Sequence, residues 1–530
     1  MDTDLDRDSV SLWMGNTQVS GYPPLAGDTR ADVCIVGAGI AGLTTAYTLA
    51  GAGHDVVVLD QGGLDGGQTA RTTGHLCSAL DDRFHALEKL FGEDGAREAA
   101  RSHAAAVNAI EDLCRNESID CGFSRADGYL VRGPGDGDDE DVLGMEFEAA
   151  TRAGLDVARV AQAPGAFGRF GEALRFGEQA QFSALRYLSG LAAAVRRRGV
   201  RIHGGTHVVD VDGGSDAGVT TDKHLRVRAN AVVVAANVPF NDRLAIHTKQ
   251  AAYRTYVVAL RIERGAVPDA LLWDTLDPYH YIRVAHEADG SWLLVGGEDH
   301  KVGQDDAPEQ RLHALEAWAR GHFPMAGEVG YRWSGQVVEP NDSLAFIGRN
   351  PGFADNVFVV TGDSGNGLTH GTLAGLILPE LVAGRDSPFE RLYAPNRKTL
   401  RAADEFVREN ANFVPYYAEL FTGGDIEGVE ELAPGEAAVL RDGLGKVAVW
   451  RDPAGGLHAH SAICPHLGCV VHWNAVETTW DCPCHGSRFA AGDGACLNGP
   501  AARGLAPMVP ITPVPEQDAP APPGAQAPAH

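Results

Sequence analysis

Basic residues are in short supply. The chain sets 44 Lys+Arg against 71 Asp+Glu, a formal net charge of −27 over 530 residues. Duplex nucleic acid and anionic lipid both attract a basic face, so this balance argues against either as a partner. No window approaches the ~20 apolar residues of a membrane span. The acidic start, Met1 to Asp8, has no apolar stretch behind it of the kind a secretory signal needs. Cysteine is too sparse for a secreted disulfide scaffold, at 9 residues. No internal repeat is visible. What remains is 44% hydrophobic and 22% charged, a globular composition with length for roughly three domains. The expectation is a cytoplasmic protein with no transmembrane segment and no nucleic-acid partner.

The few cysteines are unevenly placed. Cys34, Cys77, Cys114 and Cys121 are scattered early, and the rest fall between Cys464 and Cys496, a clustering that points to a metal site. Residues 1–30 are polar and turn-rich, with Trp13 and the Pro23-Pro24 pair, and read as a leader packed on the surface of the next domain. From Ala31 the pattern is strand, glycine turn, helix, strand: Val33–Val36, then Ile40–Leu49 at helical spacing, then Val56–Leu59. Continuous apolar strands beside a crossover helix imply a parallel sheet. Residues 80–200 read as mainly helical, strands return near 201–212 and 225–236, and alternating strands occupy 253–298. The buried strand Val357–Val360 runs through Gly362-Asp-Ser-Gly-Asn-Gly into an apolar helix, Leu368–Val382. These shifts divide the chain into a 31–395 domain with a segment inserted at about 245–340, a 396–427 connecting helix or linker, a 428–513 domain of short strands and glycine turns, and a Pro/Ala-rich 514–530 tail expected to be disordered.

Gly37-Ala-Gly39-Ile-Ala-Gly42 is a G-x-G-x-x-G run that follows a strand and opens a helix, and Asp60 ends the next strand. That is the context a dinucleotide fingerprint requires. Gly37 permits the tight turn, Gly39 lets backbone approach a pyrophosphate, and Gly42 lets the helix pack against the strand. The helix N-terminus offers N–H donors to the phosphates. Asp60 would accept from ribose hydroxyls and disfavours a 2′-phosphate. These residues leave NAD and FAD open.

Three segments resemble the D-amino-acid oxidase and glycine/sarcosine oxidase family of flavoproteins, over about residues 30–390: the fingerprint itself, Gly66-Gly-Gln-Thr-Ala-Arg-Thr-Thr-Gly-His75, and Val357-Phe-Val-Val-Thr-Gly-Asp-Ser-Gly-Asn-Gly-Leu-Thr-His370. The resemblance implies FAD, an α/β Rossmann-type fold with a mixed-sheet substrate domain, and oxidation of an amine or amino-acid C–N bond. It places Arg71, Thr72 and Thr73 where the family's loop reaches the flavin. Thr206 and Val208 fall where the adenine is contacted through backbone, and Gly362, Gly367, Leu368 and Thr369 where the closing motif meets the cofactor. As plain sequence, Arg71 to Thr73 are equally turn residues with a solvated arginine. Arg283, on an alternating strand, matches the position of a substrate-carboxylate clamp, or is a salt-bridged strand arginine. His280 and His300 read as ordinary histidines, Cys34 as core packing.

The second cluster is Cys464-Pro-His466-Leu-Gly-Cys469 followed by Cys482-Pro-Cys484-His485-Gly-Ser487. Two Cys and two His in this pattern match a Rieske [2Fe–2S] cluster, with Cys464 and Cys482 on one iron and His466 and His485 on the other. Zinc also takes Cys and His, but leaves Cys469, Cys484 and the Gly-Ser unexplained. Residues 428–513 resemble all-β Rieske domains. In the respiratory type the counterparts of Cys469 and Cys484 form a disulfide, and Gly499-Pro500-Ala501 resembles the loop that covers the cluster. Ser487 stands where high-potential relatives place a hydrogen-bond donor to a cluster sulfur. Phe489 stands where they place a tyrosine, so the implied potential is lower. Cys496 has no family role.

A flavin exchanges electrons in pairs and such a cluster carries one. The combination, with Tyr22-Pro-Pro-Leu and Thr-Ala-Arg-Thr-Thr, resembles bacterial FAD-dependent oxidoreductases that carry a C-terminal Rieske domain. It implies a dehydrogenase acting on CH–NH or CH–NH2 donors, with a small amine or amino-acid substrate and a one-electron acceptor. A flavin/Rieske electron-transfer or redox-sensing protein without its own organic substrate is the alternative, and a Rieske domain that only supports the fold is a third reading.

Overall fold

The computed structural model describes residues 9–133, 141–241, 246–305, 307–412, 414–443 and 445–509. The first sheet runs Phe346–Arg349, Val357–Thr361, Arg226–Val234, Thr29–Val36, Val56–Leu59, Arg201–His203. Thr29–Val36 pairs in parallel with Val56–Leu59 and with Arg226–Val234. Val56–Leu59 is buried on both faces, the consequence of helices covering a parallel sheet on each side. The helices Ile40–Gly51 and Gly367–Val382 pack on it, with Gly371 set against Ile40 and Gly375 against Thr44.

The second sheet runs Val329–Pro340, Gln250–Ile262, Gly290–Lys301, Tyr281–Glu287, Leu271–Asp274, Ser124–Val131, Ala173–Gln181, His75–Leu76. The expectation that 80–200 is mainly helical is corrected here. Helices fill Phe84–Asn116, Val142–Ala153 and Ala184–Arg197, but Ser124–Val131 and Ala173–Gln181 are strands in the middle of this sheet. Ala-Leu-Arg-Phe-Gly-Glu-Gln-Ala-Gln has no clean alternation. Pairing on both flanks, with Ser124–Val131 and Val157–Val160, makes it a strand. The substrate sheet is thus drawn from about residues 75–181 as well as from 245–340.

The leading segment is also more than a surface strap. In the short helix Leu12–Asn16, capped by Ser11, Leu12 and Trp13 are fully buried. The Trp13 Nε1–H donates to Thr72 O at 2.5 Å. Residues 1–8 and the expected 514–530 tail lie outside the described residues.

After the helices Ala403–Asn412 and Val414–Ala418, the last domain forms two small antiparallel sheets. One is Ala437–Asp442, Gly445–Arg451 and Leu457–Ser461, and the other His472–Asn474, Thr479–Asp481, Arg488–Ala490 and Cys496–Asn498. The connection is tied down: Lys301 Nζ meets Glu409 Oε2 at 2.6 Å, and Gln304 Nε2 donates to Asn412 Oδ1 and to Pro483 O. Among the described residues no helix is long and apolar enough to cross a membrane.

The last domain is held against the substrate sheet by a buried charge cluster. Glu477 reaches Arg71 at 3.2 Å, Arg488 at 3.1 Å and Arg254 at 3.8 Å, and accepts from the Ser334 hydroxyl. Burial alone would push its carboxyl up, but Arg71, Arg488 and Arg254 overcome that and hold it well below the usual carboxylate range. Arg254 is fully buried: its Nη1 faces Glu477 and donates to the Ser334 hydroxyl, and its Nε and Nη2 have no hydrogen-bond partner among the described residues. Removing one member of such a cluster leaves uncompensated buried charge. Glu477→Gln is therefore expected to lower stability in urea unfolding by roughly 3 kcal/mol. The exposed Glu328→Gln should stay within ~0.5 kcal/mol of the parent. Equal stability of the two variants would contradict the role of the cluster.

Candidate active site and metal centre

A cavity of about 820 Å³ opens at the C-terminal ends of the first sheet's parallel strands and runs to the substrate sheet. That volume is in the range of pockets that enclose a sizeable ligand. Gly37 and Gly39 line one end. At Gly37 (φ 108°) a Cβ would lie 2.3 Å from Ala235 O, and at Gly42 a Cβ would lie 1.9 Å from Gly37 O, so any side chain would collapse the turn. The Asp60 carboxylate accepts from the N–H groups of Ala38 (2.7 Å) and Gly62 (2.9 Å), which hold it at the cavity edge beside Val208. A dinucleotide fits here by the chemistry of the lining: a side-chain-free cradle at a helix N-terminus and a carboxylate at ribose distance along the chain.

Of the expected cofactor contacts, Gly37, Gly39, Asp60, Arg71, Thr72, Thr73, Val208, Gly362, Gly367 and Leu368 line this cavity, as does Thr206. Gly42 and Thr369 do not. Gly42 packs under the turn, and the buried Thr369 hydroxyl donates to Asn366 O and meets His103 Nδ1 at 2.8 Å. Arg71 is at the cavity, but its guanidinium is engaged by Glu477, Ser9 Oγ and Ser334 O.

The structure does not bring Arg283 to the cavity. Its Nη1 donates to the carbonyls of Thr73 (3.1 Å), Gly74 (2.8 Å) and Phe182 (3.0 Å), and its guanidinium lies over Trp13. Burial lowers its pKa to about 9. It sits on the same strand face as Tyr281, which does line the cavity, but one pleat further on. There it pins the Thr72–Gly74 loop from beneath. His280 takes its expected structural place, bonded to Asp274 and stacked on Trp318, and His300 bonds the Tyr256 hydroxyl. Cys34 is buried in the first strand, its thiol pushed up to about 12 by burial.

The substrate-sheet end of the cavity is lined by Asp81, Thr255, Trp273, Tyr279, Tyr281 and Asp299. Burial raises the Asp299 carboxyl to about 7 and also raises Asp81.

The second centre is formed by two loops. Cys464, Cys482 and His485 are buried, and His466 lies edge-on to His485 with ring centroids 4.9 Å apart. A hydrogen bond with the Cys482 thiol, aided by one from Ser487, pulls Cys464 below its usual range. Burial, together with His466 and His247, lowers His485 to about 3, which keeps the imidazole neutral. A bound iron–sulfur centre of mixed Cys/His ligation would take both cysteines as thiolates and the histidines as neutral imidazoles. Cys469 and Cys484 form a disulfide that joins the two loops, and their sulfurs lie within 4.8 Å of Cys482 Sγ. Cys464, Cys482, His466 and His485 are the remaining residues of the two loops that could hold a metal, the set expected from the sequence pattern. Cys496 donates to Ala501 O and Asn498 O, a structural use.

The two centres share a wall. Glu477, Thr479, Arg488 and the loop from Ala495 to Gly504 line the flavin-type cavity. Gln61 Nε2 donates to Leu497 O (2.6 Å), and His207 Nε2 meets Ala502 O (2.9 Å). Gln336, also lining, donates to Gly486 O (3.1 Å) beside His485 and accepts from Asn498 Nδ2 (2.6 Å). On the other side His247 presents its ring to both ligand histidines, 5.2 Å from His466 and 6.2 Å from His485. Gln336, His247, Glu477, Asp81 and Asp299 carry no local motif. Only Tyr279 and Tyr281, alternating ahead of Arg283, had a legible signal.

Comparison with known proteins agrees with this geometry. The family described as FAD dependent oxidoreductase matches residues 32–381, and the Rieske [2Fe-2S] domain family matches 425–512. A Bacillus subtilis (strain 168) protein described as a Rieske 2Fe-2S iron-sulfur protein, YhfW, is 29% identical over 498 residues, 93% of this chain and 96% of its own. The gamma-glutamylputrescine oxidoreductase of Escherichia coli (strain K12) is 26% identical over 374 residues, 68% of this chain and 85% of its own. Among solved structures, glycine oxidase from Geobacillus kaustophilus superposes with a TM-score of 0.58 at 20% identity, covering 70% of this chain and 99% of that one, a likeness of fold.

Ser487 hydrogen-bonds Cys464 and also accepts from Ala501 N–H at 3.0 Å, while the fully buried Phe489 offers no hydroxyl. A hydrogen bond to a cluster sulfur raises the potential. One such bond at about 1 kcal/mol corresponds to ~40 mV for one electron. Ser487→Ala should lower the cluster midpoint by roughly that amount and Phe489→Tyr should raise it, as read by EPR-monitored redox titration. An unmoved midpoint in both variants would contradict this account of the sulfur environment.

Proposed function

The chain belongs to the FAD dependent oxidoreductase family and carries a Rieske [2Fe-2S] domain after it, and from that premise we propose that it dehydrogenates a small amine or amino-acid-type substrate and releases the electrons singly, through the cluster, to an acceptor. Gly37, Gly39, Asp60 and Val208 would hold the FAD, and Cys464, Cys482, His466 and His485 the cluster. Bound FAD supplies a two-electron acceptor and a bound cluster a one-electron carrier. Oxidising a C–N single bond to C=N gives up two electrons and two protons, and water then splits the C=N bond to a carbonyl and an amine.

The observation that carries this reading is the shared wall. The domain holding the cluster donors closes the flavin-type cavity, and Gln336 touches both. A domain present only to support the fold has no need to place its 495–504 segment in that wall. The chain's own residues do three further things. Arg283 fixes the Thr72–Gly74 loop at the cavity. The Ala495–Gly504 loop screens the dinucleotide end from water. Gln336 fixes the backbone beside His485.

Anaerobic mixing of the holoenzyme with a panel of primary amines, N-methyl amines and amino acids tests the proposal. At least one compound is expected to bleach the flavin absorbance, after which a reduced Rieske EPR signal appears. If dithionite reduces both centres and no compound reduces either, the oxidoreductase has no substrate of this class and the proposal fails.

A further inference from the structure

The substrate-sheet end of the cavity has an unusual charge balance. Asp81 and Asp299 both face it. The Tyr279 hydroxyl donates to Asp81 Oδ2 at 2.9 Å, and a Cβ on the neighbouring Gly365 would lie 2.1 Å from that same oxygen, so Asp81 is held close against the closing glycine turn. The Tyr281 hydroxyl pairs with Thr255 Oγ1 at 2.7 Å, and the two tyrosine rings stand 5.5 Å apart at 41°. Asp299 Oδ1 is inaccessible to solvent and has no hydrogen-bond partner among the described residues.

No cation answers these acids from within the cavity. The arginines among its described lining residues are Arg71, Arg488 and Arg503. Arg71 and Arg488 are both taken by Glu477. Arg503 stands in the loop whose Ala502 carbonyl meets His207, at the dinucleotide end. Arg83, outside the lining, donates to Asp274 O, and its charge offsets the burial of Asp81 only in part. Of the lining histidines, His207 stands at the dinucleotide end against Gln61 and Ala502 O, while His75 and His370 are neutral: burial, with Arg283, lowers His75 to about 3, and burial lowers His370 to about 4. The arginine that sequence alone offered as a carboxylate clamp, Arg283, is spent on backbone carbonyls outside the cavity.

An α-amino acid brought here would set its carboxylate against two acids with no lining cation to receive it, which costs heavily in a desolvated site. An ammonium would be drawn to the two lining carboxylates and find the faces of Tyr279 and Tyr281 within cation–π range. We propose that this end of the cavity selects a cationic amine without an α-carboxylate, its nitrogen held by Asp81 and Asp299 beside Tyr279 and Tyr281. The raised Asp299 fits that assignment, since an adjacent cation draws a buried carboxyl back to its charged form. This selectivity rests on the proposed oxidation for its meaning in turnover, but it concerns recognition and is testable by binding alone.

The experiment uses the FAD- and cluster-loaded protein under anaerobic conditions. Pentyltrimethylammonium, which cannot form an imine, and hexanoate are titrated while flavin difference spectra are recorded. Pentylamine and norleucine, which differ by one α-carboxylate, are then compared for rate of flavin bleaching. The ammonium should bind at least ten-fold more tightly than hexanoate, and pentylamine should bleach at least ten-fold faster than norleucine. Asp299→Asn should weaken the ammonium at least ten-fold while retaining FAD content and the cluster EPR signal. Should that variant lose its cofactors, Tyr281→Leu reads the aromatic half of the site and should weaken the ammonium several-fold. Hexanoate binding as tightly as the ammonium, norleucine bleaching as fast as pentylamine, or wild-type affinity in the variant that retains its cofactors would each overturn the proposal. Selective ammonium binding with no bleaching by any amine would support the recognition and remove the oxidation reading instead.

Discussion

Glu477 is the residue on which the arrangement depends. It belongs to the Rieske domain, yet its carboxylate neutralises Arg254 from the substrate sheet and Arg71 from the loop that reaches the flavin cavity, as well as its own domain's Arg488. Arg254 in particular is buried with little else to meet its charge. Burial lowers the Arg254 pKa to about 10, with Arg488 adding to the effect, so the cation remains and must be answered. Glu477 meets guanidinium groups of both domains at once, so the docked arrangement is the one in which these buried charges answer each other. The docked geometry is therefore built into the charge distribution as well as into the linker.

This docking shapes the rest of the site. With Glu477 in place, the strand Thr479–Asp481 and the Ala495–Gly504 loop become cavity wall, and Gln336 comes within reach of Gly486 and Asn498. The ligand histidines meet His247 of the oxidoreductase domain. The edge of the cluster site is turned inward, toward the flavin-binding domain of the same chain. A pocket that handles electron pairs and a centre that handles single electrons then share one body, which is the physical requirement for converting one into the other without a diffusing carrier.

The parts legible in the sequence were those whose chemistry is local. Gly37 and Gly39 are read from one contiguous turn because a backbone cradle must be contiguous, Asp60 from its place at the end of the next strand, and Cys464, His466, Cys482 and His485 because two short loops carry the whole pattern. The disulfide between Cys469 and Cys484 was implied by the resemblance of these loops to respiratory-type Rieske domains. What was not legible is what tertiary pairing decides. Ala173–Gln181 becomes a strand only because neighbours flank it. Arg283 has the residue type and strand position of a clamp, but one pleat of offset sends it beneath the flavin loop. Thr369 lies in the expected motif, but its helical phase turns it toward His103. Glu477, Asp81 and Asp299 are unremarkable carboxylates until residues far away in the chain, Arg254 and Tyr279 among them, are brought beside them.

The central claim is that the two centres work as one unit inside one chain. The most direct measurement is stopped-flow and freeze-quench EPR under anaerobic conditions, with cluster reduction timed after substrate addition across a wide range of protein concentrations. The account predicts a first-order rate of cluster reduction that does not change with protein concentration, because the docked domain receives electrons from its own chain. A rate that rises in proportion to protein concentration, or a cluster that stays oxidised while the flavin is reduced, would contradict it.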